Sequence, residues 1–279
     1  MQDKKIFYAP AKLNIFLKVL GKRKDGYHNI YTAVTFINLF DKLKIQEKKE
    51  TKVLYKGFFK PKKNKYNDCI ILKTLNYLKL QNVDFNIKVT KNIPVQGGLG
   101  SASTNAATLI NGLFDMKYIK KIVPNKYIEL GADIPSFLLK KNCILNGIGE
   151  ISNLYSFPKF YFLLIKPNFG HSTKDMYSQL KIKTNSSYKN LSLVKFTSND
   201  IDIGNDFEKI VFKENLFFKD MFDFLKSMEK VIFTRMTGTG SCFYAAFEKK
   251  DYALKAEEFF KSRFKDIWTH VCENNTINS

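Results

Sequence analysis

Residues 94–105 read PVQGGLGSASTN, a run of glycines and small hydroxyl residues whose types and spacing suit the binding of phosphate. Gly97, Gly98 and Gly100 let the backbone approach an anion closely and aim its N–H groups, and a helix start just beyond adds partial positive charge. Ser101, Ser103 and Thr104 bring hydroxyls that can donate to phosphate or help to hold a metal ion. Two phosphate motifs are excluded. A P-loop needs Lys followed by Ser or Thr after its last glycine, where this chain has Ser101-Ala102. The dinucleotide fingerprint needs a glycine three places after Gly100, and Ser103 stands there. A tight strand-to-helix turn with a serine cap is the plain alternative. The Ser, Thr and Asn that follow the glycines favour a nucleotide loop, without saying which enzyme.

Other residues carry potential chemistry. Residues 11–20 alternate cleanly, so Lys12 and Asn14 share one strand face about 7 Å apart, while Leu13, Ile15, Leu17 and Val19 point the other way. In Gly131-Ala132-Asp133-Ile134-Pro135, Pro135 suits the first helical position and Asp133 reads on its own as an ordinary N-terminal cap. Tyr27-His28 follows a turn at Lys24-Asp25-Gly26. A second Gly-rich turn, Thr237-Gly238-Thr239-Gly240, leads into an apolar run at residues 243–247.

The elements that must position these groups are legible in part. Phe85, Ile87 and Val89 alternate as a strand before the loop, and Ala106, Leu109, Ile110 and Leu113 mark a helix over 106–116 after it. The pattern predicts strands at 27–39, 43–45, 52–55 and 160–166. It predicts a helix to Leu80 capped by Asp68, and further helices opening at Asn205-Asp206 and covering 216–228 and 251–264. Residues 181–198 read as an exposed connection. No internal repeat is present.

The 279 residues fit one large or two medium domains, and 44% hydrophobic with 26% charged residues is a globular balance. No apolar run reaches the ~18 residues of a membrane span, and the N-terminus lacks a secretory segment, so a cytoplasmic protein is expected. Cys69, Cys143, Cys242 and Cys272 are scattered without a CxxC pair and read as reduced, apolar thiols. The net charge of +20 rests almost wholly on lysine. Of 46 basic residues only Arg23, Arg235 and Arg263 are arginine, the residue that nucleic-acid surfaces favour. Attraction for anionic substrates is the inference drawn, and no nucleic-acid partner is expected.

The N-terminal strand motif, the central loop and the C-terminal turn match one pattern: the chain resembles the GHMP kinases. Within that family it is similar to the branch whose substrate is a cytidine diphosphate-linked methylerythritol. The motifs behind this are Pro10-Ala11-Lys12-Leu13-Asn14, Gly21-Lys22-Arg23, Asp25-Gly26-Tyr27-His28, Gly131-Ala132-Asp133-Ile134-Pro135, Asn205-Asp206-Phe207-Glu208 and Thr237-Gly238-Thr239-Gly240. The resemblance spans nearly the whole chain. It implies an α/β (α+β) fold of two domains. Residues 1–155 would carry a mixed sheet and the phosphate loop, and residues 156–279 would be ferredoxin-like, with the active site in the cleft between domains. It implies ATP and Mg²⁺, a small-molecule substrate phosphorylated at its C2 hydroxyl, no nucleic acid, no membrane, and a monomer or weak homodimer. Other kinases of the family, acting on mevalonate, homoserine or a sugar, are the nearest rivals. A catalytically silent relative would tend to lose the base or the lysine, and both are present.

The resemblance also supplies roles. Asp133 matches the catalytic base and Lys12 the cation that keeps it ionised. Asn14 matches a contact to the substrate's polyol or diphosphate. Pro94, Val95, Gln96, Gly97, Gly98, Leu99, Gly100, Ser101, Ala102, Ser103 and Thr104 would wrap the ATP phosphates, with Ser103 or Thr104 toward Mg²⁺. Lys91 matches a position near the nucleotide, although a lone lysine there reads equally as a solvated strand end. Tyr27 and His28 match the cytidine-binding pair. Tyr177 is the second aromatic, Thr173 lies nearby, and Gly238 is on the substrate side. The chain departs from the family pattern at Cys69-Ile70, where relatives have Asn-Leu beside adenine, and at Gln96, Ser101 and Ala102, where some have glycine.

Overall fold

A computed structural model describes residues 4–62, 69–80, 82–180 and 203–274. Two long strands dominate the N-terminal part, β1 (Lys5–Lys22) and β2 (His28–Glu47). On β1 both faces are covered: Leu13 and Ile15 are buried, and so are Lys12, Asn14 and Phe16 opposite them. A strand with charged and amide groups under cover must satisfy them internally.

The spacing predicts a break between residues 39 and 43, yet β2 runs through it. Asp41 interrupts the apolar alternation there but is fully buried, so a polar residue in a core position was read as a gap. The C-terminal half of β2 pairs antiparallel with β4 (Phe85–Thr90), and β4 pairs parallel with β3 (Lys52–Lys56). Its N-terminal half pairs with β5 (Cys143–Gly147), which hairpins to β6 (Glu150–Leu154). The mixed sheet has the order β3-β4-β2-β5-β6, with β1 also joined to β2.

The chain divides into two compact units. One comprises the residues up to Ala11, Leu39–Val95 and Gly100–Lys140; the other comprises Lys12–Asn38, Gln96–Leu99 and the residues from Lys141 onward. In the first, Phe85, Ile87 and Val89 are fully buried against Leu43 and Ile45 and against helices α1 (Ile70–Tyr77) and α2 (Ser101–Asp115). Each such side chain is worth about 1.5–3 kcal/mol on burial. A 3₁₀ turn at Pro124–Leu130 precedes the short α3 (Ile134–Leu139).

The second unit holds β7 (Tyr161–Lys166), α4 (Thr173–Gln179), α5 (Glu208–Glu214), α6 (Leu216–Lys226), β8 (Phe233–Met236), β9 (Phe243–Phe247), α7 (Lys250–Arg263) and β10 (Trp268–Glu273). Its antiparallel sheet has the order β10-β7-β9-β8, which is the ferredoxin-like arrangement. Phe218, Met221, Phe222 and Leu225 of α6 and Phe260 of α7 cover it.

Several local readings change. α1 begins after Cys69, which is extended and offers no side-chain cap; Asp68, expected in that role, lies outside the described residues, as does the connection 181–198. The helix expected at Asn205-Asp206 begins instead at Glu208. β5, β6, β8, β10 and α4 were not anticipated. Each has at most seven residues, too short for periodicity to show, and partner strands select β5, β6, β8 and β10. Among the described residues, no helix is long and apolar enough to cross a membrane.

Candidate active site

Within the second unit the two Gly-rich turns interlock. Gly98 has φ +73°, and a Cβ there would stand 2.0 Å from the Thr237 carbonyl oxygen, so only glycine fits. Gly238 is also pressed close, its Cβ position 2.9 Å from Gly98 Cα. Main-chain bonds fix the first turn: Ser241 and Cys242 N–H donate to the Gln96 and Gly97 carbonyls at 3.3 and 3.2 Å, and Lys12 N–H donates to Leu99 at 3.2 Å. Thr237 Oγ1 donates to the Gly98 carbonyl at 3.1 Å. Gln96 itself adopts φ 53°, a left-handed conformation where glycine would be unstrained.

Asn14 ties this cradle to β1. Its Oδ1 accepts from Gly238 N–H at 2.8 Å and from the Lys12 ammonium, and its Nδ2 donates to Thr32 Oγ1 at 2.8 Å. Its backbone N–H donates to Thr237 Oγ1, and its carbonyl accepts from the buried Tyr244 hydroxyl. The shared strand face expected of Lys12 and Asn14 is thus present, and the amide is also a strut between β1 and the C-terminal turn. From the other side Asn205 Nδ2 holds the Met236 and Gly238 carbonyls, both at 2.8 Å. Sequence reasoning took Asn205 for part of a helix start and a family motif, named Thr237 only as part of the Gly-rich turn, and passed over Tyr244.

The aromatic groups lie apart from the turns. His28 stacks on Tyr177 with centroids 4.8 Å apart and planes 29° off parallel, and Phe207 meets Tyr177 edge-on. That separation leaves no room for a third ring between His28 and Tyr177. Tyr27, beside this pair in the sequence, is 58% exposed. Burial, with the nearby Lys22 charge adding to it, pushes the His28 imidazole pKa down, so this platform is neutral at physiological pH. Thr173 and Thr239 hydroxyls face each other at 3.3 Å.

In the first unit, helix α2 starts at Ser101 after Gly100 in left-handed conformation. No side chain caps it, and its first turn carries no acidic residue. Those unsatisfied N–H groups suit a phosphate chain, which is the fit expected of ATP. Three of the four positions that follow Gly100 behave differently. Ser101 turns inward, Thr104 is buried with its Oγ1 unpartnered among the described residues, and Ser103 is half-buried. A Cβ at Gly131 would meet Ser103 Oγ at 3.4 Å, and Asn111 Nδ2 donates to the Leu138 carbonyl at 3.2 Å. Hence α2 and α3 run side by side in one direction, with Ser103 and Asp133 at the same end. Asp133 occupies the capping position but makes no side-chain cap bond, so its carboxylate is not consumed by the helix.

Lys91 is not a solvated strand end. It is 5% exposed, and its ammonium pairs with Asp41 and donates to Ser101 Oγ at 2.6 Å and to the Ser101 carbonyl at 3.1 Å. Burial pushes its pKa down and Asp41 opposes the fall. Asp41 also accepts from Asn92 and Ile93 N–H at 2.7 and 2.9 Å and from Asn105 Nδ2 at 2.7 Å. All three ammonium protons have partners, so Lys91 organises the loop's approach and helix start rather than reaching outward. The one available signal for Asp41 was an acidic residue amid apolar alternation. Among the described residues no cluster of His, Cys, Asp and Glu could hold a metal alone, so Mg²⁺ here would rely on phosphate oxygens, water and a hydroxyl.

Comparison with known proteins follows the same lines. A family model described as "GHMP kinases N terminal domain" matches residues 68–146, and one described as "GHMP kinases C terminal" matches 192–266. The chain is 36% identical over 261 residues, 88% of each protein, to the 4-diphosphocytidyl-2-C-methyl-D-erythritol kinase of Buchnera aphidicola subsp. Acyrthosiphon pisum. It is 35% identical to that of Pelagibacter ubique over 96% of this chain and 97% of that one. A crystal structure of 4-(cytidine 5'-diphospho)-2C-methyl-D-erythritol kinase superposes with TM-score 0.78 over 98% of this chain and all of that one, at 22% identity. The Methanococcus jannaschii mevalonate kinase shares the fold at TM-score 0.61 and 15% identity, covering 98% of this chain and 99% of that one.

Proposed function

We infer the function from membership: this chain belongs to the GHMP kinase family, and within it to the 4-diphosphocytidyl-2-C-methyl-D-erythritol kinases. It catalyses ATP-dependent phosphorylation of the C2 hydroxyl of 4-diphosphocytidyl-2-C-methyl-D-erythritol, giving the 2-phosphate and ADP, in the non-mevalonate isoprenoid precursor pathway. The observation that carries the reading is the interlocked pair of glycine turns, with Gly98 pressed on Thr237 and Gly238 and Asn14 bracing both.

In this reading the substrate hydroxyl oxygen attacks the γ-phosphorus, and its proton passes to the Asp133 carboxylate. The bond from the γ-phosphorus to the bridging oxygen breaks, and ADP leaves. Lys12 steadies charge as it develops on the transferring group. Alignment and electrostatics supply most of the rate in such transfers. The uncapped N–H groups of α2 and residues 94–104 hold the phosphates. Mg²⁺, with Ser103 or Thr104 toward it, would neutralise phosphate charge when bound. Tyr27, His28 and Tyr177 take the cytidine, with Thr173 and Gly238 beside it. The chain acts on a small molecule in the cytoplasm, as a monomer or weak homodimer, its two domains dividing near residue 155.

Phosphorus NMR of the protein incubated with ATP and the cytidine diphosphate compound tests this directly. A new phosphomonoester at C2 alongside ADP is expected. Equal turnover of mevalonate or homoserine would overturn the substrate assignment.

A further inference from the structure

Lys166 ends β7 directly behind the glycine loop. It is 8% exposed, and a Cβ at Gly97 would stand 3.5 and 3.6 Å from its Cδ and Cε. Its ammonium donates to the Pro167 and Phe169 carbonyls, each at 2.5 Å, and its third proton has no partner among the described residues. No carboxylate among them compensates its charge. Lys91, also buried, has Asp41 against it. The same chain therefore answers one buried ammonium with a carboxylate and leaves the other without.

The neighbouring thiol is no counterion. Cys242 is fully enclosed, and burial pushes its pKa up to about 12, so it stays neutral. Burial lowers the Lys166 pKa as well. His171, on the adjoining loop, is lowered chiefly by burial; Glu214 opposes this and Lys166 adds to it, so the region already repels further positive charge. A buried ammonium without an anion destabilises the fold it sits in, and such a group persists most readily where a ligand completes it.

We propose that Lys166 is a positioning residue for phosphate: a buried cation left without a protein counterion, whose missing negative charge arrives with the anion seated on the Gly97–Gly98 turn. It acts through the field behind the loop, not by touching the ligand. A preorganised charge in a covered site is worth more than one in water and needs no rearrangement when the anion arrives. This rests on the reading that residues 96–104 hold the ATP phosphates.

Calorimetric titration with ATP and, separately, with adenosine tests it, alongside thermal unfolding of the unliganded protein. Lys166→Gln keeps donors for both carbonyls and removes the charge. It is expected to unfold at the same or a higher temperature than the unaltered protein. It should bind ATP roughly tenfold more weakly and adenosine unchanged. Lys166→Arg, which keeps the charge, should bind ATP like the unaltered protein. A lower unfolding temperature with the ATP-to-adenosine affinity ratio intact would overturn the proposal, leaving Lys166 a clip for the turn after β7. Failure of both Lys166→Gln and Lys166→Met to fold would do the same. Should the unaltered protein bind ATP no better than adenosine, the loop assignment itself has failed, a result distinct from either.

Discussion

Asp133 is placed at a helix start yet spends no bond on capping, and Lys12 is buried on β1 beside Asn14. Asp133→Ala is expected to lower kcat by about 10²–10⁴-fold, and Lys12→Ala to do likewise, with ATP affinity nearly unchanged. Steady-state kinetics with a separate ATP titration decide it, and unaltered turnover removes either residue from its role. Tyr177→Ala should instead raise KM for the cytidine diphosphate substrate, because losing one stacking face costs about 1–3 kcal/mol. A change confined to KM for ATP would count against the cytidine assignment. At this scale residue type was a poor guide to direction. Ser101, Ser103 and Thr104 look alike in the sequence, yet one turns to Lys91, one lies beside Gly131 and one is buried. Which way a hydroxyl points depends on packing that comes from distant segments.

Strands, turns and helix starts set the positions these groups hold. Asp41, from the middle of β2, joins the end of β4 to the first turn of α2 through Lys91, Asn92, Ile93 and Asn105. Asp41→Asn strands a buried ammonium, so a loss of about 3–5 kcal/mol is expected. Urea unfolding reads it, and a change under about 1 kcal/mol would show the pair to be dispensable. Gly98→Ala forces a methyl group into the Thr237 carbonyl at a left-handed φ. Either the loop or the C-terminal turn must shift, and misplacement of about 1 Å can lower turnover some 10²-fold. Wild-type kcat/KM in that variant would dismiss the interlock. β4, α2 and α7 were legible because their own residues bury a regular stripe, while β5, β8 and β10 are short and become strands only by pairing. β2 was split in two on paper because its one buried carboxylate resembles a turn residue until its partners are known.

For the chain as a whole, charge and protonation are the accessible variables. Its three histidines, His28, His171 and His270, all have pKa values pushed below their ordinary 6.5, with burial the leading cause in each. A histidine lowered in the folded state binds its proton more readily once unfolded, so its contribution to stability is complete above 6.5 and is lost as pH falls through the folded values. Glu208, raised mainly by burial, works in the opposite sense. The net expectation is a falling unfolding temperature between about pH 7.5 and about pH 5.5. Since acidification adds to a charge already at +20, added salt should moderate the fall. A flat or rising profile would contradict it.

The amino-acid order alone pointed to the family, through motifs complete within a few positions, and that resemblance in turn implied the ferredoxin-like second half and the candidate loop and reacting groups. Tertiary structure decided which polar side chains brace the scaffold. Asp41, Asn14, Asn205 and Lys166 took their meanings from groups tens to hundreds of positions away or from a turn folded back on itself. The physical reason is that burial and hydrogen bonding are properties of neighbours in space, and a one-dimensional pattern records only neighbours along the chain.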